Sequence, residues 1–415
     1  MRVAESGALR RRLGLGDAVV VGLGAMIGAG IFTAPGFAAQ AAGAGVLIAL
    51  AVAAVIAYCN AMSSARLAAR YPASGGTYVY GRERLGPFWG YLAGWAFVTG
   101  KTASCVAMAM TVGMYLWPNH AHVVAVVTVM ALTAVNYAGV RLSAWLARSI
   151  VAAVLVVLAA VVAVGLTGDQ RPIADLGAAG QLSVVGVLQG AGLLFFAFAG
   201  YARITTLGEE VRDPARTIRR AVPIALGVTL AVYAAVISVA LLVLGSQGLA
   251  AATAPLSAVV TAAGAGWLEP VVRIGAGVAA AGSLLALLLG VSRTVLAMSR
   301  DGHFPRALAV VDPRGRGPRR AELVVGVVVA VVAAGVDLRT AIGFSSFGVL
   351  LYYTIANVSA WTLDDRPRSR IVPALGVVGC LTVAVFLPAT SVIAGAVVLL
   401  AGVVIYAARR SGGRS

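Results

Sequence analysis

The sequence predicts an all-α, polytopic integral membrane protein with about 12 transmembrane helices. Three observations predict it. Of 415 residues, 60% are hydrophobic and 11% are charged, against about 45–50% and about 25% in soluble domains. The apolar residues fall in runs that match a bilayer, since about 20 helical residues at about 1.5 Å each cross a core of about 30 Å. The basic residues gather on alternate inter-span segments. The 50 glycines and 15 prolines do not argue otherwise, because transmembrane helices tolerate both.

In chain order, the first six spans are expected near 17–39, 43–68, 86–117, 121–141, 143–167 and 184–207. The other six are expected near 220–245, 268–299, 321–337, 340–362, 370–387 and 390–408. Very short turns join spans 4 and 5, and spans 9 and 10. The longest hydrophilic segments, 168–183 and 300–320, are too short to fold alone, so one transmembrane domain is expected. The first apolar run opens near Asp17 and is too long for a cleavable signal. Cys59, Cys105 and Cys380 lie in apolar runs and read as small core residues without a disulfide framework.

Net charge is +17, from 32 basic and 15 acidic residues. In a soluble chain this would suggest nucleic acid. With the N-terminus inside, however, 26 of the bases fall on the cytoplasmic side and only Arg171, Arg273 and Arg339 on the other. The remaining three, Lys101, Arg203 and Arg293, lie within spans. The charge is therefore an orientation signal that puts both termini in the cytoplasm, and no nucleic-acid partner is needed. Trp89, Trp117, Trp145, Trp267 and Trp361 fall near span ends, as headgroup-level aromatics should.

Span 1 is dense in glycine: Val21-Gly22-Leu23-Gly24-Ala25-Met26-Ile27-Gly28-Ala29-Gly30-Ile31-Phe32-Thr33-Ala34-Pro35-Gly36. Each glycine costs a helix about 1 kcal/mol against alanine. Gly24 and Gly28 could form a small-residue packing face. Alternatively the helix unwinds around Gly28–Gly30 and exposes backbone N–H groups, which survives at that depth only where it lines a cavity. The spacing misses the G-x-G-x-x-G dinucleotide fingerprint, and no strand precedes it. Span 6 carries a second cluster of small residues, Phe195-Phe196-Ala197-Phe198-Ala199-Gly200-Tyr201-Ala202-Arg203. Paired interruptions in two halves of a membrane protein point to a transporter site. Spans 1 and 6 stand five spans apart, and an odd number per repeat forces inversion. The expected organisation is a first repeat at 17–167, an inverted second repeat at 184–362, and two peripheral helices at 370–408.

Four motifs in order resemble the amino acid–polyamine–organocation superfamily of permeases, which share the leucine-transporter fold. They are Gly24 to Phe32; Tyr71-Pro72-Ala73-Ser74-Gly75-Gly76-Thr77-Tyr78; Phe195 to Tyr201 with Glu209-Glu210-Val211-Arg212-Asp213-Pro214-Ala215-Arg216; and Ser299-Arg300-Asp301-Gly302-His303-Phe304-Pro305. Asp213-Pro214 reads as an N-cap and first helical residue, and Asp301-Gly302 as a helix stop. Many relatives carry proline where Arg219 stands.

The resemblance implies a midplane amino acid site between spans 1 and 6. The N–H groups of Ala29, Gly30 and Ile31 would hold the substrate carboxylate, at the positive end of a half-helix. The carbonyls of Phe196, Ala197 and Ala199 would take the ammonium, and Phe196 would cover the site from outside. Gly28 and Gly200 lie in the two interruptions, with Met26, Ile27 and Phe198 adjoining. No cofactor and no metal are implied.

All 15 acids lie in loops or at span ends, so no carboxylate proton relay is visible. Nor is there an acid to pair a cationic substrate side chain. Many relatives place one shortly after the Gly-aromatic pair of span 6, where this chain has Ala202. Neutral amino acids are the expected substrates. Arg293 reads as a snorkelling residue near the cytoplasmic end of span 8. Arg203 either snorkels, pairs with Glu209 or Glu210, or acts in gating.

Lys101 sits about 20 Å along the helix from either end of span 3. It should face the bundle interior, since a charge at the bilayer centre costs about 2.5–3.5 kcal/mol. Some proton-coupled relatives carry a lysine on span 5, but the matching stretch here, Ile150 to Leu158, has none. Lys101 is either the titratable, ion-replacing charge that couples transport to protons, or a static lysine bonded to carbonyls of a broken helix. Ser283, Ser292 and Thr294 on span 8 leave a Na⁺ site open, although isolated hydroxyls usually bond their own helix.

The expected function is secondary active transport of amino acids across the plasma membrane by alternating access, with H⁺ as coupling ion. An exporter or exchanger is the alternative within that class. A channel or receptor lacks a polar pore stripe. An enzyme lacks a cluster at membrane depth, because His120, His122 and His303 lie at span ends or in a loop.

Overall fold

A computed structural model of the protein describes residues 14–71, 75–139, 144–168, 182–205, 211–311, 318–363 and 366–412. The architecture is an all-α bundle, and each expected span coincides with a helix or an interrupted pair. The first half comprises α1 (Leu15–Met26), α2 (Ala29–Ala42), α3 (Val46–Arg70), α4 (Thr77–Leu85), α5 (Pro87–Leu116), α6 (Ala121–Tyr137) and α7 (Ala144–Thr167). The second half comprises α8 (Val184–Phe198), α9 (Ala202–Thr205), α10 (Pro214–Ala251), α11 (Pro255–Ala262), α12 (Glu269–Arg300), α13 (Arg319–Ala333) and α14 (Leu338–Trp361). Two further helices follow, α15 (Pro367–Phe386) and α16 (Ala389–Gly412). Among the described residues, nine stretches are long and apolar enough to cross a membrane, and one of them, Ala29–Arg70 at 42 residues, has the length of two passes.

Local chemistry sets the helix boundaries. Proline at the first turn opens α5, α10, α11 and α15, where its missing N–H costs nothing. The Ser183 hydroxyl accepts from Gly186 N–H at 3.2 Å to cap α8, and the Asp337 carboxylate accepts from Thr340 N–H at 2.9 Å to cap α14. Asp213 does stand at the N-cap of α10, but its side chain makes no cap bond. Its backbone is left-handed, φ 46°, unlike the extended geometry usual at a capping residue. Asp301-Gly302 ends α12 as expected, with Gly302 at φ 79°.

Two short helices, α4 and α11, occupy segments that hydropathy alone reads as connections. α4 starts where the Tyr352 hydroxyl accepts from Thr77 N–H at 2.9 Å. The turn between spans 4 and 5, at 140–143, and residues 72–74 of the second motif lie outside the described residues.

α5 runs through the centre, between α12 and α14. α2 packs on α8, α3 on α8 and α10, and α6 on α13. α15 lies against α14 and α3, and α16 against α14 and α5, so both flank the bundle. Small residues permit a close crossing of α5 and α14: a Cβ at Gly348 of α14 would stand 3.0 Å from Gly100 Cα of α5. Buried polar side chains join other helices. Asn357 Nδ2 of α14 donates to Asn60 Oδ1 of α3 at 2.6 Å, and Cys380 Sγ of α15 reaches the same oxygen at 3.2 Å. The three cysteines are buried and unpaired, and the five tryptophans assigned to span ends are exposed.

Candidate substrate site between two interrupted helices

α1 stops at Met26 and α2 starts at Ala29. Between them Ile27 (ψ 64°) and Gly28 (ψ −139°) leave helical geometry, so span 1 is interrupted where its glycines cluster. The packing-face reading of Gly24 and Gly28 in an unbroken helix is thereby replaced. α2 has no side-chain cap at Gly28. The N–H groups of Ala29, Gly30 and Ile31 occupy its first turn, where a helix offers no internal acceptor.

Span 6 is interrupted more mildly. α8 tightens into a 3-10 turn over Ala199–Tyr201 before α9 resumes, and its backbone stays near helical values.

The two interruptions touch backbone to backbone. A Cβ on Gly200 would collide with the Ala25 carbonyl oxygen. One on Gly30 would stand 2.6 Å from both Cα and Cβ of Ala197. Met26, Ile27, Ala29, Ile31, Ala197, Phe198 and Ala199 are all buried, as are Gly28 and Gly30, while Gly200 is half-buried. Phe196, expected as a cover, is buried at 7% exposure.

All three carbonyls expected to receive an ammonium already accept from the protein: Phe196 O from Ala199 N–H within the turn, and the other two from side chains. Lys101 Nζ, buried on α5, donates to Ala199 O at 3.4 Å. Its aliphatic stem thus crosses from span 3 to the span 6 interruption, which confirms that it faces inward. Tyr233 on α10 supplies the second donor. Its hydroxyl lies 2.7 Å from Met26 O and 3.1 Å from Ala197 O, so one proton serves both interruptions in turn. Its ring packs on Phe198 at 5.1 Å. Nothing in the sequence reading singled out Tyr233. The signal was a tyrosine deep in an apolar span, since a buried phenol needs a partner. Removing that hydroxyl forfeits one buried hydrogen bond, about 0.5–1.5 kcal/mol. Tyr233→Phe should therefore destabilise the folded protein by about that amount, read as a lower unfolding midpoint of the purified protein.

The span 8 hydroxyls separate. Ser292 and Thr294 bond their own helix, at 2.8 Å to Leu288 O and 3.2 Å to Gly290 O. Ser283 lies against Gly28, where any Cβ would meet its hydroxyl. Arg293 and Arg203 are exposed. Arg203 stands one turn past the span 6 interruption, and Glu209 and Glu210 lie outside the described residues.

Away from the interruptions, the second and fourth motifs meet. The Tyr78 hydroxyl donates to Asp301 Oδ2, and Arg82 Nη1 donates to the same oxygen at 2.9 Å. The result is a side-chain latch between α4 and the end of α12.

An apolar helical bundle with two helices interrupted side by side, their backbones in contact at Gly30–Ala197 and Gly200–Ala25, has the construction of a membrane transporter. The chain belongs to the amino acid permease family, whose profile matches residues 13–410. It is 67% identical over 405 residues to an uncharacterized transporter of Mycobacterium tuberculosis, covering 97% of this chain and 92% of that protein. It is 28% identical over 443 residues to the branched-chain amino acid permease of Bacillus subtilis, covering 96% and 93%. Against cationic amino acid transporter 4 of Homo sapiens it is 29% identical over 391 residues, covering 87% of this chain and 61% of that protein.

Proposed function

We propose that this multi-pass amino acid permease is a proton-coupled transporter of neutral amino acids in the plasma membrane. It works by alternating access around the Gly28–Ile31 and Phe196–Gly200 segments. The reading includes twelve spans arranged as two inverted five-helix repeats with α15 and α16 at the periphery.

The substrate carboxylate meets the N–H groups of Ala29, Gly30 and Ile31 at the positive end of α2. Its ammonium meets the carbonyls of Phe196, Ala197 and Ala199. Met26, Ile27 and Phe198 adjoin the side chain, and Arg203 gates from one turn away. The observation that carries the reading is the bond from Lys101 to Ala199 O. It puts a positive charge of the protein on a carbonyl that suits a substrate ammonium, so protonation of one and binding of the other bear on the same oxygen.

That charge also bears on substrate class. The relatives' names include both branched-chain and cationic amino acids. With an ammonium at the site, Ala202 where an acid would pair a cation, and no carboxylate within ion-pair distance of Lys101 among the described residues, a neutral side chain fits better.

Uptake of a labelled amino acid panel by proteoliposomes, with and without an inward proton gradient, tests this. Accumulation of neutral amino acids driven by the gradient is the expected result, and preferred accumulation of lysine or arginine overturns the substrate class. Outward accumulation identifies an exporter. The arginine asymmetry sets orientation, so a C-terminal reporter active only in the cytoplasm should be active. A silent reporter on inserted protein would reverse the topology.

A further inference from the structure

A cavity stands apart from the interrupted helices. It measures about 550 Å³ and opens between the start of α5, the end of α12 and the last turn of α16. Its wall combines three kinds of group. Gly86, Pro87, Phe88 and Trp89 bring the first turn of a 30-residue helix to it. That turn has no side-chain cap, and an uncapped helix start favours an anion. Arg409 and Arg410 bring two guanidiniums, both exposed. Arg409 uses one donor on Gly302 O at 2.6 Å and keeps the rest of its fork. Tyr91, Tyr406, Phe88 and Trp89 supply an aromatic floor.

The acid on the wall, Asp301, is engaged by Arg82 and Tyr78. His303 also lines the wall. Burial holds it below the usual histidine range, with Asp301 opposing and the Arg409 and Arg82 guanidiniums reinforcing.

We propose that this cavity binds the phosphate group of an anionic phospholipid. Two guanidiniums and an uncapped helix start recognise a phosphodiester oxygen pair. The aromatic floor and the exposed Trp89 at its rim suit a glycerol backbone and acyl chains rather than a free ion. By the arginine asymmetry this end faces the cytoplasm, where anionic lipids meet basic pockets between helices. The bound lipid would tie α16 to α5 beside the Tyr78–Asp301 latch. The site needs no part of the transport reading beyond that orientation.

The test is thermal unfolding of the purified full-length protein in detergent. Phosphatidylglycerol, phosphatidylcholine or inorganic phosphate is added, with the parent and the Arg409→Ala/Arg410→Ala double variant. Phosphatidylglycerol should raise the parent's midpoint by about 2–4 °C, lose that effect in the double variant, and weaken with added salt. An equal rise with phosphatidylcholine, or an equal rise in parent and double variant, overturns the site. A rise with inorganic phosphate as large as with lipid overturns the lipid assignment in favour of a free anion. If the double variant does not fold, Arg410→Ala serves in its place, since the Arg410 side chain is exposed at the end of α16. It should at least halve the lipid effect, and an undiminished effect overturns the site. No arm reads transport, so failure here and failure of the permease mechanism remain distinct.

Discussion

Gly30→Val is expected to weaken substrate binding sharply while the protein still folds and inserts. Gly30 is buried in the first turn of α2, and a Cβ there would stand 2.6 Å from the Cα and Cβ of Ala197. A valine places a branched side chain into that contact and forces the two interrupted helices apart. Overpacking of this kind costs about 1–3 kcal/mol, which is roughly 5- to 150-fold in affinity if it falls on the binding geometry. The loss should be visible as a raised dissociation constant for labelled amino acid in protein that remains monodisperse in gel filtration. Gly30→Ala should show a smaller loss in the same direction. Parent-like binding by Gly30→Val would mean that α2 is merely a packed helix and that the site lies elsewhere.

Lys101→Met should remove gradient-driven accumulation and flatten the pH dependence of uptake. Methionine keeps most of the stem's volume and apolar packing but cannot donate to Ala199 O. A charge-assisted bond contributes about 1.5–3 kcal/mol, so uptake at low substrate should fall roughly 10- to 150-fold. The decisive comparison is uptake by parent and variant across a pH series in proteoliposomes. A static lysine predicts lower stability with the pH profile unchanged. A coupling lysine predicts that the profile itself changes. An unchanged rate and profile would remove Lys101 from the mechanism.

Much of the fold was legible because the solvent is the bilayer. Hydrocarbon forbids unpaired backbone, so apolar runs of spanning length become helices, and all twelve expected spans coincide with helices. The span 1 interruption was legible because glycine weakens a helix locally. Span 6 was harder, since Phe195 to Tyr201 support a helix well enough that only a 3-10 turn results. α4 and α11 were missed because eight or nine residues of mixed polarity leave little periodicity to count. Tyr233 was invisible for another reason. Its importance lies in two carbonyls, Met26 O and Ala197 O, that are far from it in sequence and that only tertiary packing assembles. Ser283, Ser292 and Thr294 looked alike in the chain, and only the rotation of α12 separates the one beside Gly28 from the two that bond their own helix.

The composition that makes Lys101 unusual also makes it observable. The chain carries 31 arginines and a single lysine. Protein grown on isotope-labelled lysine would therefore present one side-chain amine to magnetic resonance, with no crowd of surface lysines to resolve and no assignment variants to prepare. Its chemical shift, followed with pH in the absence and presence of amino acid, would report directly whether the ammonium at Ala199 O changes state when a substrate arrives.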